Sequence, residues 1–366
     1  MPLFKVTFHL QATAETVESL AASILVEQTV ETPLTVARSV PFTRDHLMGR
    51  REALIPDALG GYFLTLSLPC ATASADPAQI LNVLFGNVSL HDRVRLYDFD
   101  WPTACEAPFK GPQFGIEGIR HLTGVTGRAL TCAALKPVGL DVEAIGRLCR
   151  TLASAGLDLI KDDHYLADHP FCPFEERVRT CLSAVDDIAM QTGRQALYVP
   201  NLSGTPEQVL HQADFAQRQG AQAVMAAPFL IGLPFFSALT EKYLSVPILA
   251  HPSFAGSARI HARALFGKLI RLYGADAVIF TNYGGRFSYP KEECLAIAGA
   301  LRSPLPPFRP AFPVPAGGME VAQTPALLAA FGPETILLIG GNLFEAGNGL
   351  YGRAKAFADA VADTQG

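Results

Sequence analysis

Several features are absent or scarce in this 366-residue chain, and each absence removes a class of function. The seven cysteines (Cys70, Cys105, Cys132, Cys149, Cys172, Cys181 and Cys294) are odd in number and contain no C-x-x-C pair. That pattern excludes a zinc knuckle and predicts reduced thiols instead of a disulfide frame. There is no basic block, and the net charge is −5, so a nucleic-acid surface is disfavoured. No apolar run free of helix breakers reaches membrane-spanning length. The opening MPLFKVTFHL lacks a charged region followed by a long apolar stretch, so the expectation is a cytoplasmic protein with neither membrane nor nucleic-acid partner. Charged residues are only 17% of the chain against 49% hydrophobic, which argues against disorder and leaves ample material for a large core.

The length suits a small domain followed by a barrel-sized one. Residues 3–10, 34–40, 61–68 and 88–97 read as strands, while 14–26 and 76–84 are apolar at helical spacing, the second with Pro77 at a helix start. This order predicts an α+β domain with an antiparallel sheet. Residues 101–120 are rich in Pro and Gly and read as a linker, giving domains of 1–120 and 121–366. From Leu130 the pattern changes to short apolar runs alternating with amphipathic stretches. Strands are predicted at 130–136, 157–161, 196–200, 222–227, 246–250, 276–281, 311–315 and 335–339. Helices are predicted at 141–155, 173–191, 205–218, 234–243, 259–273, 291–301, 323–331 and 350–362. Eight such units predict a (β/α)8 barrel; the competing open doubly wound sheet lacks a G-x-G-x-x-G after its first strand.

In such a barrel, chemistry gathers at the C-terminal strand ends. Those ends read Lys136-Pro137, Lys161-Asp162-Asp163-His164, Asn201, His251, Asn282 to Arg286, Ala316-Gly317-Gly318 and Gly340-Gly341-Asn342. Strand alternation places Lys161 and Asp163 on one side and Asp162 and His164 towards the other, with a terminal turn able to re-aim the last residues. Paired glycines expose backbone N–H groups, the usual way a barrel holds phosphate.

These residues together resemble the RuBisCO large-chain superfamily. The segments Ala134 to Pro137, Gly156 to Asp163, Pro315 to Gly318 and Ile339 to Gly341 look like its barrel motifs, in order and spacing. Val26 to Thr32, Gly86 to Val88 and Phe109 to Gly115 match its N-terminal domain and linker, so a ferredoxin-like first domain is implied. Departures mark a RuBisCO-like protein and not a carboxylase: Val138 stands where a second lysine is usual, His164 replaces a metal-site Glu, Arg286 replaces the mobile-loop lysine, Pro252 an arginine and Ala316 a serine.

The resemblance implies enolate chemistry on a small phosphorylated substrate. Lys161 would take up CO2 as a carbamate and, with Asp163 and His164, hold a divalent metal such as Mg2+, although imidazole suits softer metals better. Lys136, His251 and Arg286 would be catalytic, Arg286 as a clamp for a carboxylate. Gly317, Gly318, Gly340 and Gly341 would bind phosphate. Glu27, Thr32 and Asn87 would reach into a partner's site in a homodimer. The Arg286 argument favours decarboxylation of a β-keto acid phosphate such as 3-oxo-isoapionate 4-phosphate. The alternatives are C–C hydrolysis, a ketose-phosphate isomerase or enolase of the methionine-salvage type, and a non-catalytic binding relative.

Overall fold

The computed structural model describes residues 1–105, 109–287, 289–345 and 347–363, together with the backbone of Asn348. The chain divides into two compact units, Met1–Phe109 with Gly256–Leu265, and Lys110–Ala255 with Phe266–Gly366. The segment 110–120, grouped with the first domain in the sequence reading, therefore belongs to the second unit, and a short stretch of the barrel sequence belongs to the first.

The first unit runs β1 (Leu3–Leu10), α1 (Val17–Glu27), α2 (Leu34–Ser39), β2 (Arg50–Pro56), β3 (Tyr62–Pro69), α3 (Pro77–Phe85) and β4 (Val94–Asp100). Its antiparallel sheet has the order β2-β3-β1-β4, a ferredoxin-like arrangement. Alternation in β1 buries Phe4, Val6, Phe8 and Leu10. Asp76 caps α3 through the N–H groups of Ala78 and Gln79, with Pro77 at the first turn as expected. Of residues 34–40, Leu34–Ser39 are helical and only Val40 is extended: Pro33 presets the first turn, and Ala37 is the buried position of α2. The strand expected at 88–97 begins only at Val94. Strand β2 escaped the sequence reading because it is an edge strand opening Arg50-Arg51-Glu52, with no apolar alternation. Cys70 and Cys105 are joined as a disulfide, their Cα atoms 5.4 Å apart, which corrects the expectation of all-reduced thiols; the other five cysteines are free and buried.

The second unit opens with α4 (Gly115–Thr123), lying within the expected linker, and then alternates β5 (Leu130–Ala134), α5 (Val142–Ser154), β6 (Leu159–Lys161), α6 (Phe174–Thr192), β7 (Leu197–Val199), β8 (Asn201–Leu202), α7 (Pro206–Arg218), β9 (Val224–Ala226), α8 (Pro228–Ile231), α9 (Leu233–Ala238), β10 (Ile248–Ala250), α10 (Ile270–Leu272), β11 (Ala277–Thr281), α11 (Lys291–Arg302), β12 (Phe312–Ala316), α12 (Thr324–Phe331), β13 (Ile336–Ile339), α13 (Gly341–Phe344) and α14 (Leu350–Ala362). Pro200 splits one strand into β7 and β8. The parallel orders β13-β5-β6-β7 and β12-β11-β10-β9-β8 thus meet at that strand, and β12 and β13 are in contact, giving the eight-stranded barrel. Each of the eight predicted strand positions carries a strand. Inward residues such as Leu130, Cys132, Leu159, Val199, Met225, Leu249, Ile279, Val314 and Leu338 fill the interior, joined by Ile116 and Ile119 of α4. Among the described residues no helix is long and apolar enough to cross a membrane.

Two buried charges organise the opposite end from the strand C-termini. Asp276 Oδ1 accepts the N–H groups of Phe114 and Gly115, both at 2.7 Å, and Oδ2 accepts that of Ile248 at 2.9 Å. Burial pushes its carboxyl up to about 6 in spite of these donors. Arg271 donates to the carbonyls of Arg309, Ala300, Ser303 and Phe308, satisfying the last turn of α11 and the loop behind it. Asp276→Ala leaves three amide donors without an acceptor, and should cost about 1–3 kcal/mol in urea unfolding. A raised folded-state pKa means stability is fullest below the ordinary carboxylate range and is lost as pH rises towards about 6. The wild-type protein should therefore show an unfolding slope in that window which the Ala variant lacks; identical slopes would refute the assignment.

Candidate active site

The strand ends are rigid because the parallel ladders continue into them. Leu135 N–H donates to Lys161 O at 2.8 Å, Asp162 N–H to Val199 O at 3.0 Å, His251 N–H to Ala226 O at 2.9 Å and Asn282 N–H to Ala316 O at 2.8 Å. Leu159 lies in the barrel interior, so alternation brings Lys161 to the same side. Lys161 is 2% exposed, and its Nζ donates to Asp162 O at 2.7 Å. Burial lowers its ammonium affinity for the proton, which makes the neutral amine accessible. Cys132, in the same interior, has its thiol pushed up to about 12 by burial and is inert.

Asp162 turns outward into the helix layer. Its Oδ2 accepts Arg177 Nε and Asn201 N–H, each at 3.0 Å, and Oδ1 accepts the Tyr198 hydroxyl at 2.7 Å. Arg177, fully buried on α6, also donates to the carbonyls of Ala167 and Cys172. Asn201 Nδ2 donates to His164 O at 3.3 Å and Leu166 O at 3.1 Å, holding the turn that follows. Arg177, Tyr198 and the role of Asn201 were not legible in the sequence, because an outward polar residue on a strand carries no mark of its partner.

That turn re-aims His164. Instead of following Asp162 outward, its ring stacks on His251 with centroids 4.2 Å apart and planes at 14°, and its Nδ1 lies 3.4 Å from Asp163 Oδ1. Asp163 forms an ion pair with Lys136 and accepts Tyr165 N–H at 3.0 Å. Burial opposes its ionisation, but Lys136, Tyr165 and Lys161 outweigh burial and hold the carboxyl below its usual range. Burial, helped by Lys161, Lys136 and Arg286, lowers His164 against the pull of Asp163. His251 is driven well below its ordinary value by burial, Lys161, His164 and Lys136. The cluster thus joins two lysines and one carboxylate to two imidazoles whose affinity for a proton is lowered.

The glycines adjoin the same residues. Gly317 and Gly318 adopt φ of +97° and +94°, and Gly317 O accepts Arg286 N–H at 3.0 Å. A Cβ on Gly318 would stand 2.7 Å from Arg286 N, so only glycine permits this approach. A Cβ on Gly340 would stand 3.6 Å from Lys136 Cε, and Gly341 opens α13. The Arg286 guanidinium lies over the Phe287 ring at 5.7 Å. Around these strand ends Val138, Tyr165, Phe254 and Phe287 are exposed by 41%, 69%, 66% and 56%, an apolar set that sequence reasoning did not assemble.

Among the described residues no cluster of three or more His, Cys, Asp or Glu has metal-binding geometry, so Asp163 and His164 would need a further ligand from Lys161. The residues fit that requirement, since a buried amine with weakened proton affinity stands beside Asp163. In the first unit, Asn87 Nδ2 donates to Glu27 Oε1 and Glu31 Oε1, both at 2.9 Å, so Glu27 and Asn87 are brought together; Thr32 follows Glu31, which has φ of +49°. Glu31 was absent from the predicted set.

Residues 115–364 match the family model of the ribulose bisphosphate carboxylase large chain, catalytic domain. The chain is 42% identical over 359 residues, 98% of its length and 96% of the relative's, to 5-methylthioribulose-1-phosphate isomerase of Rhodospirillum rubrum. It is 35% identical over 304 residues, 81% of its length and 74% of the relative's, to 2,3-diketo-5-methylthiopentyl-1-phosphate enolase of Geobacillus kaustophilus. The crystal structure of a RuBisCO-like protein from Rhodopseudomonas palustris superposes with a TM-score of 0.91 at 39% identity, covering 99% of this chain and 98% of that one. The chain belongs to the RuBisCO large-chain family as one of its RuBisCO-like, non-carboxylating members.

Proposed function

We propose that this protein is an isomerase acting through an enediolate on a pentulose 1-phosphate with an apolar thioether tail. The observation that carries the reading is the 42% identity along 98% of the chain to an enzyme named 5-methylthioribulose-1-phosphate isomerase. The exposed apolar side chains of Val138, Tyr165, Phe254 and Phe287, each within three residues of a strand-end residue of the site, support a place for such a tail. The preference for decarboxylation rested on Arg286 as a carboxylate clamp; a phosphate engages the same guanidinium, so the residue does not demand a carboxylate. The enolase relatives begin with the same event, loss of a proton next to a carbonyl, and form the second reading.

Lys136, paired with Asp163, carries the proton between carbons next to the ketone. His251 contacts a substrate oxygen. Gly317, Gly318, Gly340 and Gly341 present N–H groups to the phosphate, with Arg286 beside them. Carbamylated Lys161, Asp163 and His164 would hold a divalent cation, magnesium if oxygen ligands dominate, and its chemistry when bound is charge stabilisation at the enediolate oxygen. Burial of Lys161 supports carbamate formation, which requires the neutral amine. Glu27, Thr32 and Asn87 complete the neighbouring subunit's site in a homodimer.

The reading is tested by incubating purified protein with 5-methylthioribulose 1-phosphate and following 31P and 13C spectra. Appearance of an isomeric ketose phosphate is expected. Inertness towards it, with CO2 release from a β-keto sugar-acid phosphate, would return decarboxylation to first place. Lys136→Met should reduce kcat by about 10²-fold or more with phosphate-ligand affinity kept within about threefold; turnover at wild-type rate removes Lys136 from the mechanism. Chelation should abolish turnover, and magnesium with bicarbonate should restore it faster than magnesium alone. Indifference to both would refute the carbamate site.

A further inference from the structure

The environment of His251 defines more than its place at the end of β10. The Ser253 backbone N–H points at His251 Nδ1 from 3.2 Å, and Ser253 Oγ lies 2.9 Å from the same atom. An amide N–H can only donate, so this long contact favours an Nδ1 that presents its lone pair, and the shorter hydroxyl contact decides the matter. The hydroxyl then donates to the same nitrogen. The ring face is covered by His164 at 4.2 Å, and the His251 backbone is fixed by its bond to Ala226 O at 2.9 Å. What remains available to a ligand is Nε2.

We infer that Ser253 is a positioning residue that fixes His251 in the Nε2–H tautomer, making His251 a hydrogen-bond donor to the substrate oxygen and not the base that removes the carbon-bound proton. A neutral imidazole with Nδ1 engaged and Nε2 protonated has no lone pair to offer a carbon acid. It can only donate, which suits an oxygen gathering negative charge. Proton carriage then falls to Lys136. The functional half of the inference rests on the isomerase reading above; the tautomer does not.

The test uses the full chain with ring-15N histidine and long-range 1H–15N correlation spectra, the His251 signals being those missing in His251→Gln. The wild-type protein should show an unprotonated Nδ1 and a protonated Nε2. Ser253→Ala keeps the weaker amide contact but loses the hydroxyl, and should give a mixture of tautomers. Its kcat should fall roughly tenfold, the scale of one hydrogen bond, with KM changed by less than about twofold. Ser253→Thr retains the hydroxyl and should recover both tautomer and kcat. A protonated Nδ1 in the wild-type protein overturns the inference. So does a Ser253→Ala enzyme with unchanged kcat, or one that Thr fails to rescue. Absence of isomerase turnover alongside the expected wild-type tautomer would count against the substrate assignment and leave the tautomer standing.

Discussion

The site depends on where Asp162 points. This carboxylate is fully buried, and both of its oxygens are occupied by Arg177, Tyr198 and the Asn201 N–H. Such a network is weak evidence for net stability, because desolvating two charges costs about as much as their attraction returns. Its value here is directional. A strand that must send Asp162 outward to Arg177 must also send Lys161 and Asp163 inward, and no slip of one residue can satisfy both sides. Asn201, whose N–H holds Asp162 and whose amide holds His164 O and Leu166 O, extends the constraint into the following turn. The imidazole of His164 is thereby laid against His251.

The charges on the inner side then constrain one another. Two lysines within one cluster would repel, and the arrangement separates their roles: Lys136 is paired with Asp163, while Lys161 is buried and its affinity for a proton lowered by that burial. The two histidines, squeezed by burial and by these cations, are biased towards the neutral form. The site gathers two lysines and two imidazoles beside the turns formed by Gly317, Gly318, Gly340 and Gly341. Val138, Tyr165, Phe254 and Phe287 add exposed apolar side chains close in sequence to these residues.

Much of the barrel was legible because strands buried on both faces are short apolar runs between amphipathic helices, and that periodicity survives without knowledge of contacts. The first unit was less legible where the periodicity fails. Its edge strand β2 is polar, and the apolar letters at 34–40 form a helix once Pro33 starts the turn. The Cys70–Cys105 bond could not be read because seven cysteines without a short motif give no pairing. Within the site, Lys136, Lys161, Asp163, His251 and the glycines were visible as strand-end residues. Arg177, Tyr198 and Ser253 were not, since each acts on a neighbour that the sequence places 2 to 36 positions away and gives no reason to join.

By itself the sequence determined the barrel, its eight strand positions and the residue types at their C-terminal ends, because hydrophobic period and strand polarity are local properties of the chain. Only the tertiary structure decided which way those ends turn. Alternation alone would have carried His164 away from Lys161. The joint hold of Arg177, Tyr198 and Asn201 on Asp162, with the Asn201 amide on the turn that follows, aims the chain so that His164 meets His251 instead.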